Sequence, residues 1–276
     1  MASVSMAAVK ELRERLGAGM VDSKNALVEA DGDIEKAIEI LRLKGLKGVA
    51  KREGREASEG LVAVVQRDGS ATLIELVCET DFVAKNEKFL ALGDKILEAI
   101  AESGAKTLEE ALAAPLENGT VESTITDESA IIGEKIQLRR VTVVEAPRTA
   151  VYLHRTSKDL PPQIGVVVGY AGDDEKVATS IAQHISFAEP VYVNRDEVPQ
   201  ADVDKERDIV TEISKNEGKP EAALPKIIEG RLNAFFKQIV LNEQEHALDA
   251  DKRPVAKVAE GAGITVTGFA RGKVGA

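Results

Sequence analysis

The 276-residue chain holds one cysteine and three histidines. Cys78 alone cannot build an internal disulfide framework, and its apolar surroundings predict a buried small hydrophobe. His154, His184 and His246 lie far apart along the chain and from Cys78, with none of the short ligand spacings of a zinc site. There is no G-x-S-x-G elbow, no H-E-x-x-H and no kinase signature. Gly17-Ala18-Gly19 lacks the spacing of a phosphate loop and no strand precedes it, so it reads as a helix–helix turn. Gly261-Ala262-Gly263 precedes a strand rather than opening a helix, the reverse of a dinucleotide fold. No apolar run approaches the roughly 18 residues a membrane span needs. Lys10 and Glu11 interrupt the small and apolar first residues early, so no secretory leader is expected. These absences favour binding over catalysis. The expectations are a protein that is not an enzyme, needs no cofactor or metal, engages no membrane and works in the cytoplasm.

The chain carries 47 acidic and 36 basic side chains, a net charge of −11. That balance argues against bulk nucleic-acid binding, which needs clustered cations. With 30% charged residues and a mean hydropathy of −0.13, the composition is that of a soluble globular protein. Its length allows two or more units with cores of their own. The charge is uneven: residues 1–55 have 11 Lys+Arg against 9 Asp+Glu. Arg42, Lys44, Lys47, Lys51, Arg52 and Arg55 form a basic cluster, read as a solvated linker or as a contact for an acidic face.

Hydrophobic spacing predicts an α+β protein. Three short helices span 4–45, with Val9, Leu12 and Leu16, then Ala26, Leu27 and Ala30, then Ile34, Ala37, Ile38 and Leu41 inward, and Asp33 capping the third. The charged stretch from Gly48 to Gly60 reads as a linker. Leu61 to Arg67 and Ala71 to Cys78 are strands joined at Asp68-Gly69, a hairpin signal. A helix to about Glu102, a short helix near Thr107–Ala113, a polar connection and a strand around Lys135–Glu145 follow. The strand–strand–helix plan then recurs. Thr149 to Arg155 and Gln163 to Tyr170 are joined by a loop with Pro161-Pro162, before a helix over 174–187 with Val177, Ile181 and Ile185 inward. Residues 201–241 predict two antiparallel helices broken at Gly218-Lys219-Pro220. Val203, Val210 and Ile213 line one; Leu224, Ile228, Leu232, Phe235 and Ile239 line the other. A helix near Pro254–Glu260 and a strand over 264–271 close the chain. The predicted units are 1–53 (three-helix bundle with linker), 54–146 (first core subdomain), 147–200 with 242–276 (second core subdomain) and 201–241 (helical hairpin). Both core subdomains carry antiparallel sheets.

Thr80-Asp81-Phe82-Val83-Ala84-Lys85-Asn86 lies where a buried strand turns into a helix, a usual place for working residues. On spacing alone Asp81 is a helix cap, and Phe82 a core aromatic or a staple onto Phe89. The stretch resembles the central motif of the elongation factor Ts family, the nucleotide exchange factors of bacterial translation. Further stretches resemble that family in its own order along nearly the whole chain: Lys10 to Arg15 with Gly17 to Met20, Asp31-Gly32-Asp33, Ile181 to Ile185, Glu229 to Leu232 and Thr267-Gly268-Phe269. The resemblance implies an N-terminal domain like ubiquitin-associated domains, a two-subdomain core and a protruding coiled coil. It implies guanine-nucleotide exchange on elongation factor Tu, without direct nucleic-acid contact. Thr80, Asp81, Phe82 and Val83 would dislocate the partner's Mg²⁺; Arg13, Met20, Val21 and His154 would bind the partner. Two departures stand out. Arg155 to Pro162 replaces the family's glycine-rich continuation after His154. Glu245-His246 stands where the family tends to carry a proline and an aromatic. The rival readings are an adaptor that binds a ubiquitin-like partner through the N-terminal bundle, and an enzyme acting on small acids.

Overall fold

The computed structural model describes residues 5–16 and 20–275. The side chains of Arg13 and Leu16 and the turn Gly17-Ala18-Gly19 lie outside the described residues. Helices α1 (Met6–Leu16), α2 (Met20–Glu29) and α3 (Ile34–Arg52) bury Val9, Leu12, Ala26, Leu27, Ala30, Ala37 and Leu41 against one another. Asp31 and Gly32 both take positive φ and end α2; Asp33 Oδ1 then accepts the Lys36 N–H at 3.1 Å and caps α3.

Strands β1 (Glu59–Arg67) and β2 (Ser70–Cys78) form the hairpin, with Gly69 at φ 74° in its two-residue turn. After them come α4 (Asp81–Ala84), α5 (Glu87–Ser103) and α6 (Leu108–Ala113). The predicted polar connection is instead a two-rung ladder, β3 (Pro115–Leu116) with β4 (Gly119–Thr120), and a three-turn helix, α7 (Val121–Ile132). A capping box between Thr120 and Ser123 starts that helix. Only Val121, Ile125, Ser129 and Ala130 are buried on it, so its apolar stripe is too thin to read from spacing. β5 (Ile136–Glu145) pairs antiparallel with β2, giving the order β1-β2-β5. Phe89, Leu92, Ile96 and Ile100 of α5 close a core over Leu61, Ile74, Leu76 and Leu138.

α7 also explains why α3 does not stop near residue 45. Gly45 lies against it so closely that an added Cβ would stand 2.3 Å from the Ala130 carbonyl oxygen. Arg52 Nη2 donates to Ser129 O at 3.2 Å, and Arg42 pairs with Asp127. Arg42 and Arg52, read as part of a solvated basic stretch, are with Gly45 the contact face of a helix.

β6 (Arg148–His154) and β7 (Ile164–Ala171) form a second hairpin, covered by α8 (Glu175–Ala188) through Ala178, Ile181, Ala182 and Ile185. α9 (Gln200–Asn216), α10 (Leu224–Ile239) and α11 (Val255–Gly261) follow before β8 (Thr265–Lys273) pairs with β7, giving β6-β7-β8. α9 packs chiefly on α10. Ile213 is exposed there and Ser214 is buried in its stead, its hydroxyl donating to Val210 O at 2.6 Å, so a small residue sits at the helix contact. Phe236 is more buried than Phe235 and joins Tyr192, Val198, Val203, Ile239 and Val240 at the foot of the pair.

The two sheets pack face to face through Val62, Leu73, Val77 and Val144 against Val167, Ala270 and Val274. Glycine permits this approach. A Cβ on Gly165 would lie 2.5 Å from Val62 Cγ1. Gly165→Val is therefore expected to lower the urea midpoint by the equivalent of about 1–3 kcal/mol, the usual cost of overpacking. A change below about 0.5 kcal/mol, as at a surface site, would mean that the sheets are not in contact there.

Two histidines far apart in sequence meet in space. His184 and His246 stack at 5.4 Å, inclined by 17°. Ala247 N–H donates to His184 Nδ1, leaving its Nε2–H for Gln244 Oε1 at 2.9 Å. Leu248 N–H donates to His246 Nδ1, leaving its Nε2–H for Ser180 Oγ at 3.0 Å. Burial pushes both imidazoles below the ordinary histidine value. Groups depressed on folding contribute stability that is present above the unfolded value of about 6.5 and is lost as pH falls through the folded values. The melting temperature is expected to fall between pH 7 and 5.5, with a shallower slope in His246→Phe. An equal slope in that variant would locate the acid response elsewhere.

Candidate functional site

The turn after β2 is built from Thr80 upward. Thr80 leaves the strand in extended geometry (φ −125°, ψ 155°), and its Oγ accepts the Val83 N–H at 3.4 Å. Thr80, not Asp81, is thus the cap of α4. Asp81 is the first helical residue, and its carboxylate meets Lys85 Nζ at 2.7 Å. That pairing lifts the Lys85 ammonium above its usual range. Asn86 caps the next helix by accepting the Lys88 N–H at 2.9 Å. Two caps six residues apart leave α4 a single turn whose outer face is Phe82.

Phe82 is 80% exposed. It is neither a core aromatic nor a staple; Phe89, fully buried, holds the core position. Val83 packs half-buried on the first core and Ala84 is buried beneath the turn. Lys85 Nζ stands 5.5 Å from the Phe82 ring centroid. The result is an apolar wedge with a carboxylate beside it, carried on a turn rooted in the sheet.

The rooting uses two crossed carboxylates. Glu134 Oε2 accepts the Thr80 N–H at 3.0 Å and its Oε1 accepts the Thr80 hydroxyl at 2.6 Å. Glu79 Oε1 accepts the Lys135 N–H at 2.6 Å, and its Oε2 pairs with Arg55 at 3.1 Å. The Cys78 thiol donates to Thr80 O at 3.3 Å. Burial, with a smaller contribution from Glu134, pushes that thiol up to about 12, so it supplies no thiolate at neutral pH. No group of three or more His, Cys, Asp or Glu side chains placed to hold a metal occurs among the described residues. No helix among them is long and apolar enough to cross a membrane.

The other predicted site residues lie on different elements. Met20 and Val21 open α2, 52% and 70% exposed. Exposed His154 ends β6, its Nδ1 3.0 Å from Tyr152 Oη. It borders an apolar depression with Tyr152, Phe187 and Leu248. The 155–162 loop leaves the strand after His154 and straps the sheets: Pro162 O accepts the Val62 N–H at 2.8 Å, and Leu160 packs on the first core. Glu79 and Glu134 were absent from the residues singled out by sequence, and Lys85 lay within the motif without a role assigned to it. Lys85 had a readable signal, the i,i+4 spacing from Asp81. Glu134, 54 residues from Thr80, had none.

A family model described as Elongation factor TS matches residues 79–276, a span that opens at the braced turn. Over the whole length of both chains, the protein is 66% identical to "Elongation factor Ts" of Clavibacter michiganensis subsp. michiganensis (strain NCPPB 382). On the same full-length terms it is 64% identical to that of Leifsonia xyli subsp. xyli (strain CTCB07) and 52% to that of Tropheryma whipplei (strain Twist). With an α+β fold of antiparallel sheets and helices, and this likeness from end to end, the chain belongs to the elongation factor Ts family of translation elongation factors.

Proposed function

We propose that the protein is a guanine-nucleotide exchange factor for elongation factor Tu, acting by binding rather than by chemistry of its own. The observation that carries this reading is the exposure of Phe82 on a turn braced from below. Large aromatics are seldom left in water without a partner, and a one-turn helix pinned at its cap presents that ring in one direction.

A nanomolar nucleotide complex is held by about 12 kcal/mol. Much of that comes from a phosphate cradle and a Mg²⁺ that tolerates little distortion of its octahedral shell. An exchange factor need not touch the base; it need only displace what orients the metal. Phe82 enters an apolar cleft of the GTPase domain, Thr80 and Val83 set its depth, and Asp81 disturbs polar groups near the metal. A thousandfold faster release asks for about 4 kcal/mol of barrier reduction, within reach of one buried aromatic anchor and a few polar shifts. Linkage requires nucleotide and exchange factor to weaken each other equally. The N-terminal helices, read as a ubiquitin-associated-like bundle, dock on the same domain through Arg13, Met20 and Val21; His154 marks a second contact on the other sheet.

The test is release of fluorescent GDP from elongation factor Tu with and without the protein. Acceleration that saturates with protein concentration supports the reading; an unchanged rate rejects it.

A further inference from the structure

α4 has four residues, too few to be stable alone, and Phe82, almost wholly exposed, contributes little packing to hold it. Val83 and Ala84 hold its inner side on the core, and its first residues are fixed through Thr80, where the chain leaves the sheet. The backbone oxygen of Thr80 accepts from the Cys78 thiol and from the Ala84 N–H at 3.1 Å. Its N–H and hydroxyl both go to one carboxylate, Glu134. That carboxylate is itself well anchored. Gly133, at φ 86°, ends α7 just before it, and the Lys135 N–H just after it is bound by Glu79. Cys78 and Ile136 are register partners in the sheet, so the crossed pairs Glu79–Lys135 and Glu134–Thr80 lock the end of β2 to the start of β5.

We infer that Glu134 is a positioning residue for exchange: its carboxylate holds Thr80 so that Asp81 and Phe82 meet the partner already oriented. The inference rests on the exchange reading above. Without Glu134 the sheet and α5 keep their own hydrogen bonds and buried stripe and Ala84 stays in the core, while Thr80 and the Asp81-Phe82 start of the turn lose their brace and sample more directions. Ordering it then falls on the step in which the wedge enters, not on the first docking of the rest of the surface. The loss belongs in the maximal rate and not in the concentration needed to reach half of it.

Conservative replacement separates holding from charge. In Glu134→Gln the amide oxygen still accepts the Thr80 N–H. The amide nitrogen donates to Thr80 Oγ, whose proton rotates away while its second lone pair still faces the Val83 N–H. Glu134→Ala supplies neither contact.

The experiment measures GDP release from elongation factor Tu over a range of concentrations of the full-length protein. It compares wild type, Glu134→Ala, Glu134→Gln, Phe82→Ala and the Glu134→Ala/Phe82→Ala double variant. Glu134→Ala is expected to lower the plateau rate about fivefold or more, the scale of a lost charge-assisted bond, at unchanged half-saturating concentration. Glu134→Gln should recover most of that loss, and the double variant should be slower than Phe82→Ala alone by clearly less than Glu134→Ala slows wild type, since only Asp81 is left to orient. The inference is overturned if Glu134→Ala matches wild type, if the two substitutions multiply, or if only the half-saturating concentration rises. It is also overturned if Glu134→Gln is as slow as Glu134→Ala, a comparison that stands even should the alanine variant fold poorly. If wild type itself leaves GDP release unchanged, the exchange reading falls and this inference with it.

Discussion

Phe82→Ala is expected to slow GDP release from elongation factor Tu at least about tenfold, the loss of one interfacial anchor, while the melting temperature hardly moves. The two halves of this result have separate causes. In the free protein the ring is 80% exposed, so its removal leaves no cavity, and a surface substitution changes stability by about 0.5 kcal/mol or less. In the complex the same ring would be buried in a cleft, where truncation of an aromatic anchor costs about 2 kcal/mol or more. The neighbour Asp81 should behave alike: Asp81→Ala slows exchange without the stability loss of a removed cap, because Thr80 is the cap. A Phe82→Ala protein that loses several kcal/mol of stability at full specific activity would make the ring a core residue and end the wedge reading.

The second large effect concerns the paired helices α9 and α10. Replacing residues 208–231 with a four-residue Gly-Ser link is expected to leave a cooperatively folding protein that still promotes exchange but whose complex with elongation factor Tu is shorter-lived. The cut follows from where the pair is anchored. Phe235 and Phe236 belong to the foot, with Tyr192, Val198 and Val240, and Arg195 stacks on Phe236 at 4.1 Å; all of these are retained. Beyond the foot α9 packs chiefly on α10, so the removed turns bury mostly each other. Packed helix axes lie about 8–10 Å apart, which four residues span with ease, and closing so short a loop costs little entropy. Exchange persists because Phe82 stays in place, and the loss is in dissociation, where most interface changes act. Unfolding on deletion would make the pair an internal element. Normal folding with an unchanged complex lifetime would leave an arm that does not grip this partner.

Much of the fold was legible because it rests on local rules. Asp68-Gly69 between two apolar runs dictates a hairpin, and Asp33 before Ile34 dictates a helix start. The stripe Phe89, Leu92, Ile96, Ile100 dictates which side of α5 is buried, and the break at Gly218-Lys219-Pro220 dictates an antiparallel helix pair. Each needs only neighbours within a few residues. The motif around Asp81 and Phe82 was visible in the same way, as was its likeness to a known family. Tertiary structure decided the rest. Phe82 faces water on a turn that Thr80 caps, and the N–H and hydroxyl of Thr80 go to Glu134, 54 residues on, a partner that only the folded chain supplies. α3 runs on to Arg52 because Gly45 has Ala130 to pack on, and α7 exists as a helix because α3 and the first sheet cover its thin stripe. His184 and His246, read as distant, stack because the chain returns past α8 before its last strand. Local propensity and periodicity act over a turn or two of chain, whereas exposure, helix length and polar bracing are set by partners that only the folded chain brings together.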